Sequence, residues 1–156
     1  MSQEIIKTAN RGKYDLLIVG SSRPLLSQDE TGGKARYFFD RAKCDVGLFI
    51  DKGFDKICKL LIITEFNDES YLYELAKGFN PECLIDSACL LPLAVPVDKT
   101  ANFGIETIML NQTTDNFSSY DLIIATISCY RNQREAGASW VDGKASILLI
   151  SQQDRR

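Results

Sequence analysis

The chain alternates continuous apolar runs with polar, periodically patterned stretches. Tyr14-Asp15 leads into Leu16-Leu17-Ile18-Val19-Gly20, and Tyr120-Asp121 leads into Leu122-Ile123-Ile124-Ala125-Thr126. A strand without polar alternation is buried on both faces, as in parallel sheets covered by helices. The flanks of the two copies also match. The first is followed by Ser21-Ser22-Arg23, a loop, Gly33-Lys34-Ala35 and Val46-Gly47-Leu48-Phe49-Ile50. The second is followed by Ser128-Cys129-Tyr130-Arg131, a loop, Gly143-Lys144-Ala145 and Ile147-Leu148-Leu149-Ile150-Ser151. The repeated unit is strand, loop, strand, and a repeat bears on the whole fold.

The pattern predicts a helix over Gln3–Asn10, with Ile5, Ile6 and Ala9 on one face and Gly12 as its stop. A strand follows at Asp15–Gly20, then a polar loop. Gly33–Lys43 reads as a helix with the apolar stripe Ala35, Phe38, Phe39 and Ala42. Val46–Ile50 is the second strand, and Asp51-Lys52-Gly53-Phe54 is a turn and module boundary. Lys59–Thr64 is the third strand. Asn67 or Asp68 caps a helix over Glu69–Lys77, whose core side is Leu72, Leu75, Ala76 and Phe79. Strands are expected at Ala88–Leu93, at Ile105–Leu110, in the second Tyr-Asp copy and at Ser146–Ser151, with a short helix inside Ser128–Gly143. About seven strands alternate with three to five helices, which reads as an α/β fold with an open, mostly parallel sheet and helices on both faces. From Lys59 onward the chain supplies a complete module. Residues 1–54 read as the second half of a truncated first module and 55–156 as a complete second one, packed as one globular unit of a longer protein.

At 156 residues the chain can bury a proper core. Its net charge of −3 and pI near 5.0 argue against non-specific nucleic-acid binding. No apolar run approaches the roughly 20 residues of a membrane span; the longest, Ala88 to Val97, is broken by Pro92 and Pro96. Met1-Ser2-Gln3-Glu4 has neither the basic start nor the apolar core of a signal peptide. Five cysteines without a CxxC pattern, most in or beside apolar runs, read as buried, reduced thiols. The chain contains no histidine. That removes the commonest general base and every Ser-His or Cys-His arrangement, and leaves zinc only cysteine and carboxylate ligands. A P-loop and a G-x-S-x-G elbow are also missing, so hydrolase and phosphotransferase chemistry is disfavoured.

Cys44-Asp45-Val46-Gly47-Leu48-Phe49-Ile50-Asp51-Lys52-Gly53-Phe54, preceded by Tyr14–Gly20, resembles part of a known family. It is similar to the carboxy-terminal cytosolic tail of monovalent cation/proton antiporters of the second antiporter superfamily, the plant cation/H+ exchangers and fungal K+/H+ antiporters. There a membrane domain is followed by two modules similar to universal stress proteins. A phrase like valine-glycine-leucine-phenylalanine-valine-aspartate-arginine-glycine joins the modules. The resemblance implies a regulatory, non-catalytic tail on the cytosolic side of an endomembrane, joined to the membrane domain of the same polypeptide and able to form a homodimer. It implies no membrane insertion of this segment and no nucleic-acid partner.

Universal stress protein modules often bind ATP through a glycine after the fourth strand, a second three residues on, a third about ten residues later and a following hydroxyl. This chain departs from that signature. Gly20 matches, but Arg23 holds the second position, and Lys34 follows Gly32-Gly33. In the second copy Ala125 or Thr126 replaces the first glycine. The family therefore implies no obligatory cofactor, with ATP or another adenine nucleotide as the candidate ligand. Candidate binding residues are Gly20, Ser21, Ser22 and Arg23, in a turn at the carboxyl end of a parallel strand. Thr64 and Glu65 join them at the end of the third strand, Glu65 where related modules place an acidic residue against the nucleotide; Asn67 or Asp68 as a helix cap also accounts for this stretch. Asp15 and Asp121 precede their strands and read as turn or cap residues. Asp86 to Leu91 matches an acidic dileucine pattern but also an ordinary buried segment, and Trp140 reads as a packing or oligomer anchor. Asn111-Gln112-Thr113 and Asn116-Phe117-Ser118 match the glycosylation sequon, which cytosolic exposure would leave unused. The alternative to an antiporter tail is a free-standing, nucleotide-binding universal stress protein.

Overall fold

A computed structural model describes residues 1–21, 33–53, 55–64, 70–89, 107–108, 119–135 and 143–153. The elements are α1 (Ser2–Arg11), β1 (Leu16–Ser21), α2 (Gly33–Arg41), β2 (Asp45–Ile50), β3 (Lys59–Thr64), α3 (Ser70–Phe79), β4 (Leu84–Cys89), β5 (Thr107–Ile108), β6 (Leu122–Thr126), α4 (Ile127–Glu135) and β7 (Ser146–Ser151). They build one seven-stranded sheet in the order β1-β2-β7-β6-β3-β4-β5. Every pairing is parallel except β2 with β7, which is antiparallel. The fold is thus the expected mostly parallel α/β sheet, with β1 and β2 running against the other five strands.

Alternation along the strands divides the core between two faces. Leu48, Leu61, Ile63, Ile123, Ile147 and Leu149 pack on one face under Cys129 and Tyr130 of α4. On the same side, α1 and α2 cover β1 and β2 through Ile6, Ala9, Phe38, Ala42 and Val46. On the other face Leu60, Ile62, Leu122, Ile124, Leu148 and Ile150 pack with Leu72 and Ala76 of α3. The central strands show no alternation in sequence because both faces are covered, as the apolar runs predict.

The registers of the two Tyr-Asp copies are related by a local two-fold. Leu16 opposes Asp45, and Leu122 opposes Ser146. Setting Leu16 on Leu122 therefore sets Asp45 on Ser146 and Leu48 on Leu149. Leu48 and Leu149 face each other across the antiparallel join, so the axis passes between them. A backbone bond repeats on both sides: Asp45 N donates to Asp15 O at 3.1 Å, and Ser146 N donates to Asp121 O at 3.2 Å. This equivalence corrects one part of the sequence repeat. Gly33 opens α2, whereas Gly143 lies just before β7, so the shared Gly-Lys-Ala has no common structural position.

Several expected boundaries move. The fourth strand is Leu84–Cys89, not Ala88–Leu93. Asp86 and Ser87 interrupt its apolar character but sit inside the strand, because Tyr120 Oη donates to Asp86 Oδ2 at 2.7 Å and Ser87 is buried. Residues 90–93 lie outside the described part. Ile5 and Phe79, assigned to core faces, are 38% exposed. Of the expected strand Ile105–Leu110, Thr107 and Ile108 pair with β4, and the remainder lies outside the described residues. The cysteines also divide: Cys44 and Cys129 are buried, but Cys58 is exposed and Cys83 only half-buried.

Candidate functional site

In open α/β sheets ligands sit beyond the carboxyl ends of the strands, where the order reverses. Here that point lies between β3 and β6. From β3 the chain passes through α3 on one face to β4, and from β6 through α4 on the opposite face to β7. The strands flanking the crevice end in Thr64 and Thr126. Thr64 is 4% exposed, and among the described residues nothing hydrogen-bonds its hydroxyl. Thr126 Oγ1 accepts from Cys129 N at 3.1 Å. It is therefore the N-cap of α4, satisfying one of the amides that a helix start leaves open. Thr126 holds the position that Gly20 holds in the first copy, and its hydroxyl caps the helix start there.

The described candidate residues, Gly20, Ser21 and Thr64, do not converge on one site. Gly20 and Ser21 end β1, and β1 runs against β3. The carboxyl end of β1 therefore lies at the opposite edge of the sheet from Thr64, and β2, β7 and β6 stand between the two strands. At about 4.8 Å per strand they are separated laterally by roughly 19 Å. Gly20 is exposed, and a Cβ there would meet nothing within 4 Å, so packing does not require a glycine. Ser22, Arg23 and Glu65 lie outside the described residues, as do Asn67, Asp68, Trp140 and both sequons.

The best-defined polar constellation is at the amino edge of β3, β4 and β6. Asp121 Oδ2 accepts from Cys58 N and Lys59 N, both at 2.9 Å, and Asp121 N donates to Lys59 O at 2.8 Å. Asp121 thus fastens the start of β6 to the start of β3, in keeping with its reading as a cap rather than a catalytic carboxylate. Burial pushes the phenol of Tyr120 above its usual range, helped by the Asp86 carboxylate that accepts its hydrogen bond. Lys59 Nζ lies 4.8 Å from the centre of the same ring. The Cys83 thiol is also pushed up, by burial first, then by the charges of Asp121 and Cys58, against a backbone bond from Leu60. No local motif signals this cluster, because its members lead into or lie within three strands that are far apart in sequence.

The phrase Cys44–Gly53 has a structural account. Cys44 and Val46 are buried under α1 and α2, and Asp45 Oδ1 accepts from Gln153 N at 2.9 Å. A Cβ on Gly47 would stand 3.1 Å from Leu148 Cδ1 and 3.3 Å from Ile150 Cδ1. Lys52 N donates to Ser146 Oγ at 2.9 Å and Lys52 Nζ to Gly143 O at 2.8 Å. Gly53 takes φ +86° and donates to Asp51 Oδ1 at 2.8 Å. The phrase therefore builds the antiparallel join and the turn after it. At the far side of β1, a groove of about 440 Å³ runs along α1, lined by Ile5, Thr8, Ala9, Tyr14, Leu16 and Ile18.

Among the described residues no helix is long and apolar enough to cross a membrane, and no group of three or more acidic or cysteine side chains could hold a metal ion. No family model matches the chain, and no curated protein matches it either. A solved structure does: a universal stress protein from Archaeoglobus fulgidus DSM 4304 superposes with a TM-score of 0.57 at 11% identity. The superposition covers 99% of this chain and 66% of that one, so the chain spans just under two thirds of that protein. At such low identity the likeness concerns fold alone: the chain has the universal-stress-protein-like α/β fold.

Proposed function

We propose that this chain is a non-catalytic regulatory segment, the cytosolic tail of a potassium (monovalent cation)/proton antiporter of an endomembrane. In this reading residues 1–54 are the second half of one stress-protein-like module and residues 55–156 a complete second module. The supporting observation is the antiparallel join. The stretch that resembles antiporter tails forms β2 and the turn after it, and the registers on either side of β2 and β7 are those of two like units about a two-fold. A tail of this kind acts by coupling: a ligand, a partner or a second copy of the chain binds one of its states better, and the membrane domain's equilibrium shifts with it.

The test is direct. The coding sequence upstream should specify about a dozen apolar spans of roughly 20 residues, and deleting the present segment should alter ion exchange, its regulation or its targeting. An upstream region without such spans, or a deletion with no effect on any of the three, ends this reading.

One observation favours the alternative, a free-standing nucleotide-binding protein. The Thr64 hydroxyl is buried beside the switch point without a partner among the described residues, and burying a hydroxyl unpaired is costly. A nucleotide phosphate or ribose would supply that partner. Calorimetric titration with ATP separates the readings: heat that disappears in Thr64→Val supports nucleotide binding at this edge, and no heat up to millimolar ATP removes it.

A further inference from the structure

We infer that Cys58 and Cys83 are an oxidisable thiol pair, a site for thiol–disulfide exchange with a small disulfide such as glutathione disulfide. Cys58 immediately precedes β3 and Cys83 immediately precedes β4, and the parallel register opens with Lys59 opposite Leu84. That register continues one step back, because Leu84 N donates to Cys58 O at 3.0 Å. The two cysteines therefore stand side by side on neighbouring strands, whose backbones lie about 4.8 Å apart. A disulfide requires Cα atoms about 4.4–6.8 Å apart. Their side chains share a face. Cys83 packs against the cluster that contains Leu60 and Ile62, and strand alternation puts Cys58 on the side of those same residues.

Both cysteines are held in place. Asp121 Oδ2 receives the Cys58 amide at 2.9 Å. Asn80 Nδ2 donates to Ile57 O at 3.0 Å, and Asn80 O accepts from Cys83 N at 3.1 Å. The turn after α3 is thereby tied to the residue before Cys58. Among the four cysteines whose side chains are described, access also selects this pair: Cys58 is exposed and Cys83 half-buried, whereas Cys44 and Cys129 are 5% and 1% exposed. The charge of Cys58 is one of the influences raising the Cys83 thiol, as expected of neighbouring sulfurs.

The chemistry closes without a further reagent. The exposed Cys58 thiolate attacks one sulfur of glutathione disulfide, forming a mixed disulfide and expelling a glutathione thiolate, which takes up a proton. Cys83 then gives its proton to solvent and attacks the Cys58 sulfur. The intramolecular bond forms and the second glutathione leaves as thiolate. Two cysteines are oxidised, one disulfide is reduced, and two electrons pass to glutathione. The product staples the amino ends of β3 and β4 across α3.

This inference does not depend on the antiporter reading. Its test uses the full chain, equilibrated with glutathione disulfide under native conditions, alkylated and mapped by peptide mass spectrometry without reduction. The expected result is a chain lighter by two hydrogens, with Cys58 and Cys83 in one cross-linked pair, Cys44 and Cys129 unreacted, and dithiothreitol restoring both thiols. Cys58→Ser should abolish the bond, and Cys83→Ser should leave glutathione on Cys58; circular dichroism checks that both variants fold. Separately glutathionylated Cys58 and Cys83, two unreacted thiols, or a bond between chains would overturn the pairing. Reaction of Cys44 or Cys129 on the same timescale would also overturn it, because the oxidant would then be meeting unfolded chain.

Discussion

Asp121 offers the sharpest test of how the sheet is fastened. Its Oδ2 accepts two amides at 2.9 Å, from Cys58 and Lys59, ahead of a strand whose interior is fully buried. A hydrogen bond to a charged group contributes about 1.5–3 kcal/mol. The Cys58 amide lies at an exposed position where water can replace the carboxylate, and the Lys59 amide is partly buried. Counting the second bond in full and discounting the first, Asp121→Ala should cost about 2–3 kcal/mol. Asp121→Asn keeps an acceptor oxygen without its charge and should cost about 1 kcal/mol. For a domain of this size each kcal/mol moves the melting temperature by about 2–4 °C. The alanine variant should therefore melt about 5–10 °C lower.

The assay is urea unfolding followed by circular dichroism, with the slope required to stay constant so that the midpoint alone reports stability. A second readout separates charge from mere connection. The Asp121 carboxylate helps hold the Cys83 thiol above its ordinary range. Asp121→Asn should bring that thiol down and speed its alkylation at mildly alkaline pH. If Asp121→Ala stays within about 0.5 kcal/mol of the parent, the clamp is not a stabilising contact. If the asparagine variant loses stability while Cys83 alkylation is unchanged, the electrostatic half of the reasoning fails.

Other expectations follow from single contacts. Tyr120→Phe removes the donor to Asp86 and should cost about 1–2 kcal/mol near neutral pH. Because the folded phenol is raised above its ordinary value of 10.0, its contribution is complete below that value and fades as pH climbs through it and beyond. The parent–variant gap measured by urea titration should narrow above about pH 10, and a gap constant across that range would contradict the assignment. Gly47→Val should destabilise by about 1–3 kcal/mol, because its methyls must displace Leu148 and Ile150; Gly47→Ala should cost less, and equal effects in thermal melts would argue against the steric account. Gly53→Ala places a side chain at φ +86° and should cost about 1–2 kcal/mol; Gly53→Asn, which tolerates this region, should recover part of the loss.

What the sequence shows well is what depends on local pattern. Lys59–Thr64 and Ser146–Ser151 begin and end as read, because burial on both faces forces a run of apolar residues with polar ends. β4 is displaced in the reading because its middle carries Asp86, whose partner Tyr120 is remote in sequence. A half-buried carboxylate looks like a loop until its donor is known. The candidate ligand residues suffer from the same limit. Each is marked by its place at the end of a strand, but no local feature tells that β2 runs antiparallel to β7. Cys58 and Cys83 are legible only in register, one residue ahead of two adjacent strands.

The reversal at β2 and β7 also explains why the two Tyr-Asp copies behave differently. Around the local two-fold, Tyr14 corresponds to Tyr120 and β1 to β6. Beyond β6 lies β3, and beyond that β4. Tyr120 is therefore 9% exposed, under Lys59 and bonded to Asp86. Tyr14 has no described strand at the corresponding place and is 58% exposed. Ile18 follows the same logic. Its counterpart Ile124 is fully buried, in the cluster that packs with α3, while Ile18 is 46% exposed. The related stretches thus form a strand twice but are buried on both faces only once, because β3 and α3 cover the second copy where the first has only α1 and α2 on one face. On the nucleotide-binding alternative, ligand binding should divide in the same way. The switch point between β3 and β6 has strands on both sides, whereas the carboxyl end of β1 has described strands on one side only. A ligand held through Thr64 should therefore be lost in Thr64→Val and retained in Gly20→Ala.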